Sequence, residues 1–261
     1  METGLRVLSY NVRYEGLDDG VRSWERRCDG VIGVCRLHRP DVMGFQECWL
    51  DQQATLEAGL PDYAFVGEET AGGDHTPIAY RRSRFECQEW AVFALSETPA
   101  ELGSVGWDAS YPRFATWARL TDRVTERTLL VANTHFDHEG PRARRESATL
   151  LRDRLPTAEA DGLVVLGDFN CRPASDAYAA LTAADPSPEL SDARDAATTV
   201  HGPAETYVGF EEDTNRKRID YVFVSSGVSA RQFAVLADVN QNWRHPSDHL
   251  PVLADLSLPE A

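Results

Sequence analysis

Lysine is almost missing from this chain of 261 residues, where Lys217 stands alone among 26 basic residues. Acidic residues number 42, so the formal net charge at pH 7 is −16. Two explanations remain open: adaptation to concentrated salt, and a genome rich in G and C that favours arginine over lysine. No basic tract indicates general nucleic-acid binding, and the average field of such a surface repels polyanions at low salt.

Long apolar runs are missing too. No run approaches the roughly 18–20 residues that would span a membrane, and no internal repeat or low-complexity tract is present. The first residues, METGLRVLSYN, pass straight into a strand-like run without the charged and apolar regions of a signal peptide. We therefore expect a cytoplasmic protein that does not associate with membranes. A hydrophobic content of 42% suits one domain over residues 1–261, and nothing in the pattern indicates an obligate protein partner.

Cysteine offers no framework for the fold or the chemistry. The five cysteines are scattered, odd in number and without a C-x-x-C pair. This spacing favours neither a set of disulfides nor a cysteine-based metal site. The function has to come from other side chains.

The pattern of secondary structure indicates many strands and a few helices. Strand-like apolar runs occur at residues 5–10, 42–45, 63–66, 77–80, 114–120, 128–133, 163–166, 219–224, 233–237 and 250–256. Helical spacing is found over residues 24–35 and 148–155, and Pro173 is a candidate first residue of a third helix. Loops are expected at 67–76, 99–113, 185–206 and 209–217. Together these elements predict two packed sheets flanked by helices.

Six polar clusters interrupt the apolar runs abruptly. Four follow strands and two precede them: Asn11, Gln46–Glu47, Asn133–His138, Asp168–Asn170, Arg218–Asp220 and Ser247–His249. The ends of strands running one way share a sheet edge with the beginnings of strands running the other way. We therefore expect the six clusters to meet at one rim.

The side chains in these clusters suit phosphoester hydrolysis. Carboxylate and amide oxygens, the ligands that Mg²⁺ or Mn²⁺ prefers, come from Asn11, Glu47, Asp168 and Asp248. Histidines can donate to phosphate oxygens or move a proton near neutral pH. The reaction needs a cation, an oriented water and donors for the transition state.

Each cluster alone also has a purely structural interpretation. Glu47 could be a solvated cap at the end of a strand, and the stretch Asp168–Asn170 could be a simple turn. The pair Asp248–His249 could be a structural ion pair, and Asp220 could be a buried hydrogen-bonding residue. The functional interpretation depends on all six occurring together.

As an ordered set, the motifs resemble the endonuclease/exonuclease/phosphatase superfamily. They are SYN (9–11), QE (46–47), NTH (133–135), GDFN (167–170), RIDY (218–221) and SDH (247–249). The resemblance implies a DNase-I-like α/β fold. This fold is a four-layer α/β-sandwich, in which two mixed β-sheets pack face to face with helices outside.

The resemblance also implies roles for the matching residues. Glu47 would be the principal metal ligand, with Asn11 beside it and Asp248 supporting the metal site. Those three residues would hold Mg²⁺ or Mn²⁺.

The other matching residues would act on the substrate. Asp168 would orient or deprotonate the attacking water, and Asn170 would touch the phosphate. His249, oriented by Asp220, would contact the scissile phosphate. His135 would donate to a non-bridging oxygen or to the leaving group. Whether His249 or Asp168 accepts the proton stays open.

Within the superfamily the chain is similar to a bacterial and archaeal branch of metal-dependent hydrolases. The similarity lies in LSETP (95–99), GWD (106–108), PRFATWARL (112–120) and NTHFDHEG…AR (133–144). This branch extends His135 with Asp137 and His138, which we expect to bind substrate together with Arg113 and Arg144. The two arginines could instead form structural ion pairs. Trp117 is expected in the core.

Four alternatives compete with a metal-dependent hydrolase of small substrates. The stretch from Thr134 to His138 also resembles the zinc motif of metallo-β-lactamase-like hydrolases, but Asn133 stands where that motif needs a histidine. A binding protein that has lost catalysis is a second alternative. A nuclease is the third, although the acidic composition and the lack of an aromatic-basic strip favour a small phosphorylated substrate over nucleic acid. A lipid substrate is the least favoured, since no exposed apolar or basic amphipathic segment is indicated.

Overall fold

The backbone alternates between strands that carry apolar residues and helices that cover them. The structure is a computed structural model that describes residues 4–16, 20–67, 75–185, 188–211 and 215–258. Within these ranges it contains thirteen strands: β1 (Leu5–Asn11), β2 (Val42–Gln46), β3 (Tyr63–Val66), β4 (Ile78–Arg81), β5 (Phe85–Ala94), β6 (Phe114–Asp122), β7 (Thr128–His135), β8 (Gly162–Asp168), β9 (Leu190–Asp192), β10 (Thr199–His201), β11 (Asp220–Ser225), β12 (Ser229–Val235) and β13 (Val252–Ser257). The same ranges contain five α-helices: α1 (Trp24–His38), α2 (Leu50–Gly59), α3 (Pro141–Arg154), α4 (Asp176–Thr182) and α5 (Ala193–Ala196).

The strands form two mixed sheets. The first has seven strands in the order β10-β12-β13-β1-β2-β4-β3, and the second has six in the order β5-β6-β7-β8-β11-β9. In the first sheet, β1 pairs in parallel with β2 and β10 with β12; in the second, β7 pairs in parallel with β8. The other neighbours are antiparallel.

Alternating side chains on each strand separate the layers. On β1, Leu5 and Val7 enter the core between the two sheets, whereas Leu8 and Tyr10 pack on the other face with residues of α1. The second sheet shows the same alternation, and its outer face packs against α3 and α4. Burial of apolar area in three such layers drives the assembly. The predicted four-layer α/β-sandwich of the DNase-I-like class is confirmed, and Trp117 lies in the core as expected.

Several elements differ from the expectation. Residues 185–206 are not a plain loop, because the described part of this stretch contains β9, α5 and β10. Strands of three residues are too short to show a period. The sequence pattern also does not indicate β5, where a bulge between Cys87 and Glu89 interrupts the alternation. Of the other expected loops, residues 68–74 and 212–214 lie outside the described residues, as do 186–187.

The third helix begins later than Pro173. It starts at Asp176, and the hydroxyl of Ser175 caps it by accepting a hydrogen bond from the backbone N–H of Tyr178. A serine at this position satisfies an N–H group that a proline start would leave to solvent. None of the described helices is long and apolar enough to cross a membrane.

Candidate active site

The strand register brings three predicted residues side by side. In the second sheet, Asp168 is the pairing partner of His135 on β7 and of Asp220 on β11. All three side chains are buried, between 1% and 4% exposed. Gly167 allows this close packing, since a Cβ there would lie 2.3 Å from the carbonyl oxygen of Thr134. The expectation that strand ends converge at one rim holds for these three.

The first sheet contributes the opposite side of the rim through a buried amide pair. Gln46 Nε2 donates to Asn133 Oδ1 at 2.6 Å, and Asn133 Nδ2 donates to the carbonyl of Phe45 at 2.7 Å. Gly44 leaves room for the Asn133 side chain, which an added Cβ would approach to 2.7 Å. These hydrogen bonds join β2 to β7 in the core and so fix where Glu47 lies relative to the second sheet.

Asn11 connects the carboxylates of the two sheets. Its Nδ2 donates to Glu47 Oε1 at 3.0 Å and to Asp168 Oδ2 at 3.1 Å, while its Oδ1 accepts from the backbone N–H of Arg13. The other Glu47 oxygen accepts from the backbone N–H of Tyr14 at 3.0 Å. Glu47 itself has a left-handed backbone with φ 53°, an uncommon conformation for this residue that aims its carboxylate at the rim. Asn11 thus holds Glu47 and Asp168 together, and a direct bond from Asn11 to a metal stays a prediction.

Asp248 lies next to this group on the loop before β13. Its Oδ2 is 3.5 Å from Arg13 Nε, and its side chain is 16% exposed. Burial raises the pKa of Asp248, and the Glu47 charge raises it further, although His249 and Arg13 oppose the shift. The negative charges of Glu47 and Asp248 therefore lie close enough to repel each other, and a bound cation would relieve that repulsion.

His249 and Asp220 form the clearest acid–base pair. His249 Nδ1 lies 2.9 Å and 3.1 Å from the two Asp220 oxygens, and its Nε2 is 3.7 Å from Asp168 Oδ2. Burial alone would lower the pKa of His249, but Asp220 and Asp168 outweigh it and raise the pKa to about 10. The imidazole is therefore positively charged at neutral pH, with Nδ1–H donating to Asp220.

Asp168 is the centre of the rim. Burial raises its pKa, as does the Asp220 charge, while His135 and His249 oppose the shift. Its Oδ1 accepts from the backbone N–H of Asn170 at 2.9 Å, which holds the carboxylate in one orientation.

His135 is held from both sides. Arg113 Nη1 lies 3.0 Å from His135 Nδ1, and Asn170 Nδ2, also a donor group, lies 3.0 Å from His135 Nε2. Asp168 Oδ2 is 3.4 Å from the same Nε2, and Asn170 Nδ2 donates to the carbonyl of Phe136 at 3.0 Å. Arg113 is 8% exposed, and its Nε also lies 3.9 Å from Asp137 Oδ2.

Asp137 and Arg144 shape the loop before α3. The Asp137 carboxylate accepts backbone N–H groups of Ser110, Glu139 and Gly140, at 3.0, 2.9 and 2.6 Å. Burial would raise the pKa of Asp137, but these donors outweigh it and lower the pKa below its usual value. Arg144 Nη1 donates to the Asp137 carbonyl at 3.0 Å. Both residues have structural contacts, and their predicted contact with substrate stays a prediction.

His138 differs because it reaches the surface. Its side chain is 45% exposed and stacks with Tyr111, with ring centroids 5.9 Å apart. Arg113 Nη2 lies 3.3 Å from His138 Nδ1. Of the residues expected to bind substrate, His138 is therefore the most accessible.

An aromatic pair beside Glu47 was not predicted. Tyr14 and Trp49 are 44% and 51% exposed, with ring centroids 6.3 Å apart, and the backbone N–H of Tyr14 binds Glu47. Both lie outside the strands, where no period singles out a residue. The only signal that sequence reasoning could have used is that each aromatic residue closely follows a predicted site residue: Tyr14 follows Asn11, and Trp49 follows Glu47.

Oxygen atoms dominate the part of the rim that could hold a metal. Asp168, Asp220 and His249 offer ligand atoms within 4.8 Å of one another, but a charged imidazole has no free lone pair for a metal. Glu47, Asp248 and Asp168 instead supply carboxylate oxygens, and burial raises the pKa of both Asp248 and Asp168. This donor set fits a hard divalent cation rather than zinc.

Comparisons with known proteins agree with this geometry. An endonuclease/exonuclease/phosphatase structure from Bacteroides vulgatus shares 35% sequence identity and a TM-score of 0.92, covering 98% of this chain and 100% of that one. A mannosyl-6-phosphatase structure from Bacteroides thetaiotaomicron shares 30% identity and a TM-score of 0.90, covering 97% and 100%. Nocturnin of Drosophila melanogaster is 23% identical over 97% of this chain, which spans 47% of that protein. The model of the Endonuclease/Exonuclease/phosphatase family matches residues 8–249, and the chain therefore belongs to this family.

Proposed function

We propose that the protein hydrolyses phosphoester bonds with the help of Mg²⁺ or Mn²⁺. One observation carries the proposal: carboxylates from both sheets and two oriented histidines meet at a single buried rim. Glu47 and Asp248 would hold the cation, with Asp168 at its border. When bound, the cation would supply charge neutralisation at the phosphate.

Asp168 is suited to orient the attacking water and accept its proton. Burial raises the pKa of Asp168, so this carboxylate accepts a proton at a pH closer to neutral than a solvated aspartate does. Asn11 Nδ2 and the backbone N–H of Asn170 each donate to one of its oxygens. The carboxylate therefore meets a water in a fixed orientation, which lowers the entropic part of the barrier.

The two histidines are suited to stabilise the phosphate oxygens. His249 is charged at neutral pH and presents Nε2–H next to Asp168, while Asp220 fixes its ring. Arg113 Nη1, 3.0 Å from Nδ1, holds the His135 ring with Nε2 beside Asp168. Donors that are fixed before the reaction stabilise developing negative charge without reorganising.

A small phosphorylated compound is the favoured substrate. The similarity to a mannosyl-6-phosphatase, at 30% identity, supports a phosphomonoester of a sugar. The net charge of −16 supports a small substrate over a polynucleotide. A structure of zebrafish TDP2 with single-stranded DNA product has the same fold at 20% identity, and that similarity shows the fold alone. The cytoplasmic location expected from the sequence stays a prediction.

A panel of substrates tests the proposal. We would assay mannose 6-phosphate, bis-p-nitrophenyl phosphate and a short oligonucleotide with Mg²⁺ or Mn²⁺, at low and high salt, with EDTA as the metal-free reference. Asp168→Asn should abolish most turnover. Asp255→Asn is the matched control. Asp255 lies on β13, toward the end of that strand farther from Asp248, and forms an ion pair with Arg6.

The outcomes separate the candidate functions. The proposal would be supported if the small esters are hydrolysed only with metal, if Asp168→Asn lowers that turnover, and if Asp255→Asn leaves it unchanged. Preference for the oligonucleotide, with affinity collapsing as salt rises, would identify a nuclease. Full activity in EDTA, or no hydrolysis of any substrate, would refute metal-dependent hydrolysis.

A further inference from the structure

A cavity rich in arginine adjoins the rim. Its volume is about 300 Å³, and its main lining residues are Arg22, Arg26, Arg27, Phe210, Arg244 and His245. Four arginines around one cavity are unexpected in a chain of net charge −16. They come from the start of α1 and from the loop before β13, so no basic tract is visible in the sequence.

Arg27 forms the floor of the cavity. It is 4% exposed, and its guanidinium donates to the carbonyls of Val12, Arg13, Arg22 and Pro246 at 2.5–3.0 Å. These bonds join the end of β1 to the loop that carries Asp248. A guanidinium keeps its charge in such a position, so Arg27 adds a positive charge to the floor of the cavity.

The wall shared with the metal site consists of Phe210 and Arg13. The guanidinium carbons of Arg13 and Arg22 lie 5.2 and 4.9 Å from the Phe210 ring centroid. Arg13 Nε is 3.5 Å from Asp248 Oδ2, and the backbone N–H of Gly209 donates to the Asp248 carbonyl at 3.1 Å. The cavity and the metal site are therefore neighbours that share this wall.

Phe210 has a left-handed backbone with φ 54°. A bulky aromatic residue rarely adopts this conformation, and such outliers cluster at ligand sites. The strain is tolerated here while the ring packs against arginines of the cavity.

The opposite wall is organised before any ligand binds. Asn240 Oδ1 accepts from the backbone N–H groups of Asn242 and Arg244 at 2.9 and 3.2 Å, and the Asn240 N–H donates to the Arg244 carbonyl at 2.9 Å. His245 Nδ1 lies 2.9 Å from the carbonyl of Asp238. This loop presents Arg244 to the cavity without an ordering step on binding.

Two of the arginines are available for a ligand. Among the residues that the structure describes, neither Arg26 nor Arg244 has a side-chain hydrogen bond or ion pair. Both side chains are exposed on the cavity side of the molecule. A guanidinium can grip two oxygens of one phosphate at once.

We propose that this cavity binds a second phosphate of the substrate whose scissile phosphate lies at the rim. The natural substrate would then be a small organic bisphosphate. Such a compound is strongly negative, so it would bind to an acidic protein only where arginines are concentrated. The inference rests on the proposed phosphoester hydrolysis and adds the substrate class.

Kinetics on a matched pair of substrates tests the cavity. Glucose 6-phosphate and glucose 1,6-bisphosphate differ by one phosphate, so the ratio of their kcat/KM values reports the second contact. The double variant Arg26→Gln, Arg244→Gln should lower the preference for the bisphosphate on the order of tenfold or more, because each lost charged hydrogen bond is worth about that much. Arg36→Gln is the control for loss of charge: it removes one arginine charge from the same helix as Arg26, and the described hydrogen bonds of Arg36 go to the carbonyl of Gly59.

A binding assay separates failure of the cavity from failure of the proposed hydrolysis. Calorimetry with inorganic phosphate on Glu47→Gln protein, whose metal site is disabled, should show one site that the double arginine variant loses. Binding that the double variant keeps, or no binding at all, would overturn the cavity proposal even if the enzyme hydrolyses esters. Binding lost in the double variant, without hydrolysis of either glucose phosphate by the wild type, would keep the anion site and refute hydrolysis of this substrate class. An equal loss of kcat/KM for both sugars, or a strong effect on a short oligonucleotide alone, would refute the bisphosphate.

Discussion

A divalent cation should stabilise the fold, because the rim concentrates negative charge. Burial raises the pKa of Asp168 and Asp248, and repulsion from Asp220 and Glu47 respectively raises each further. A bound cation opposes that repulsion in the folded state, and the unfolded chain has no comparable site. Metal binding should therefore increase the free energy of unfolding.

The size of the effect can be worked out. A ligand present at a hundred times its Kd adds about 2.7 kcal/mol to the free energy of unfolding. An unfolding entropy of about 2.1 cal/mol/K per residue over 261 residues gives about 0.55 kcal/mol/K. The melting temperature should then rise by about 5 °C.

Glu47→Gln isolates the metal from other effects. Glutamine keeps the shape and one oxygen for either Asn11 Nδ2 or the Tyr14 N–H, and it removes a charge that raises the pKa of Asp248. The lost hydrogen bond and the relieved repulsion oppose each other, so the metal-free melting temperature should change by no more than about 2 °C. The rise with metal should fall to about 1 °C or less.

The assay is differential scanning fluorimetry on EDTA-treated protein, titrated with Mg²⁺ and Mn²⁺. Asp255→Asn, which removes a carboxylate at the opposite end of β13, should keep the full rise. The same rise in Glu47→Gln as in the wild type would show that Glu47 does not hold the cation. No rise in the wild type would refute the metal site.

Three further predictions concern the rim and its support. Asp168→Asn should lower kcat by about 10²- to 10⁴-fold with an unchanged circular dichroism spectrum, since it removes the proton acceptor. Asp220→Asn should lower the pKa of His249, because the nearest charge that raises it is lost while burial still lowers it; NMR titration of the ring would show this, and an unchanged pKa would refute the pairing. Asn133→Ala should destabilise the fold by about 1–3 kcal/mol in urea unfolding, because Gln46 Nε2 loses its 2.6 Å acceptor and the buried carbonyls of Phe45 and Pro77 lose their donor; a loss below about 1 kcal/mol would show that water replaces the amide.

The rim could be predicted because its residues follow continuous apolar runs. The run at 163–166 lies inside β8, and Asp168 is the last residue of that strand. Where a strand is buried on both faces, the point at which polar residues begin marks the sheet edge. The register that places Asp168 opposite both His135 and Asp220 then follows from the pairing of three such strands.

Edge strands and loops lack this signal. One face of β5 is solvated and a bulge interrupts its period, while all three residues of β10 are exposed. The contact between Arg113 and His135 could not be predicted either. Whether an arginine contacts substrate or a histidine ring depends on distances that the sequence does not contain. For the same reason the arginine cavity, assembled from two distant segments, could not be expected from composition.

The cavity also changes the meaning of the acidic composition. At about 0.15 M salt the Debye length is about 8 Å, so the distributed charge of the surface acts weakly on an approaching anion. Arg26 and Arg244 would lie within hydrogen-bond distance of a bound phosphate, where salt screens little. The net charge of −16 therefore disfavours long polyanions that contact much of the surface, and it leaves a compact bisphosphate free to bind. Local arginine placement, rather than the overall charge, is what selects the substrate in this argument.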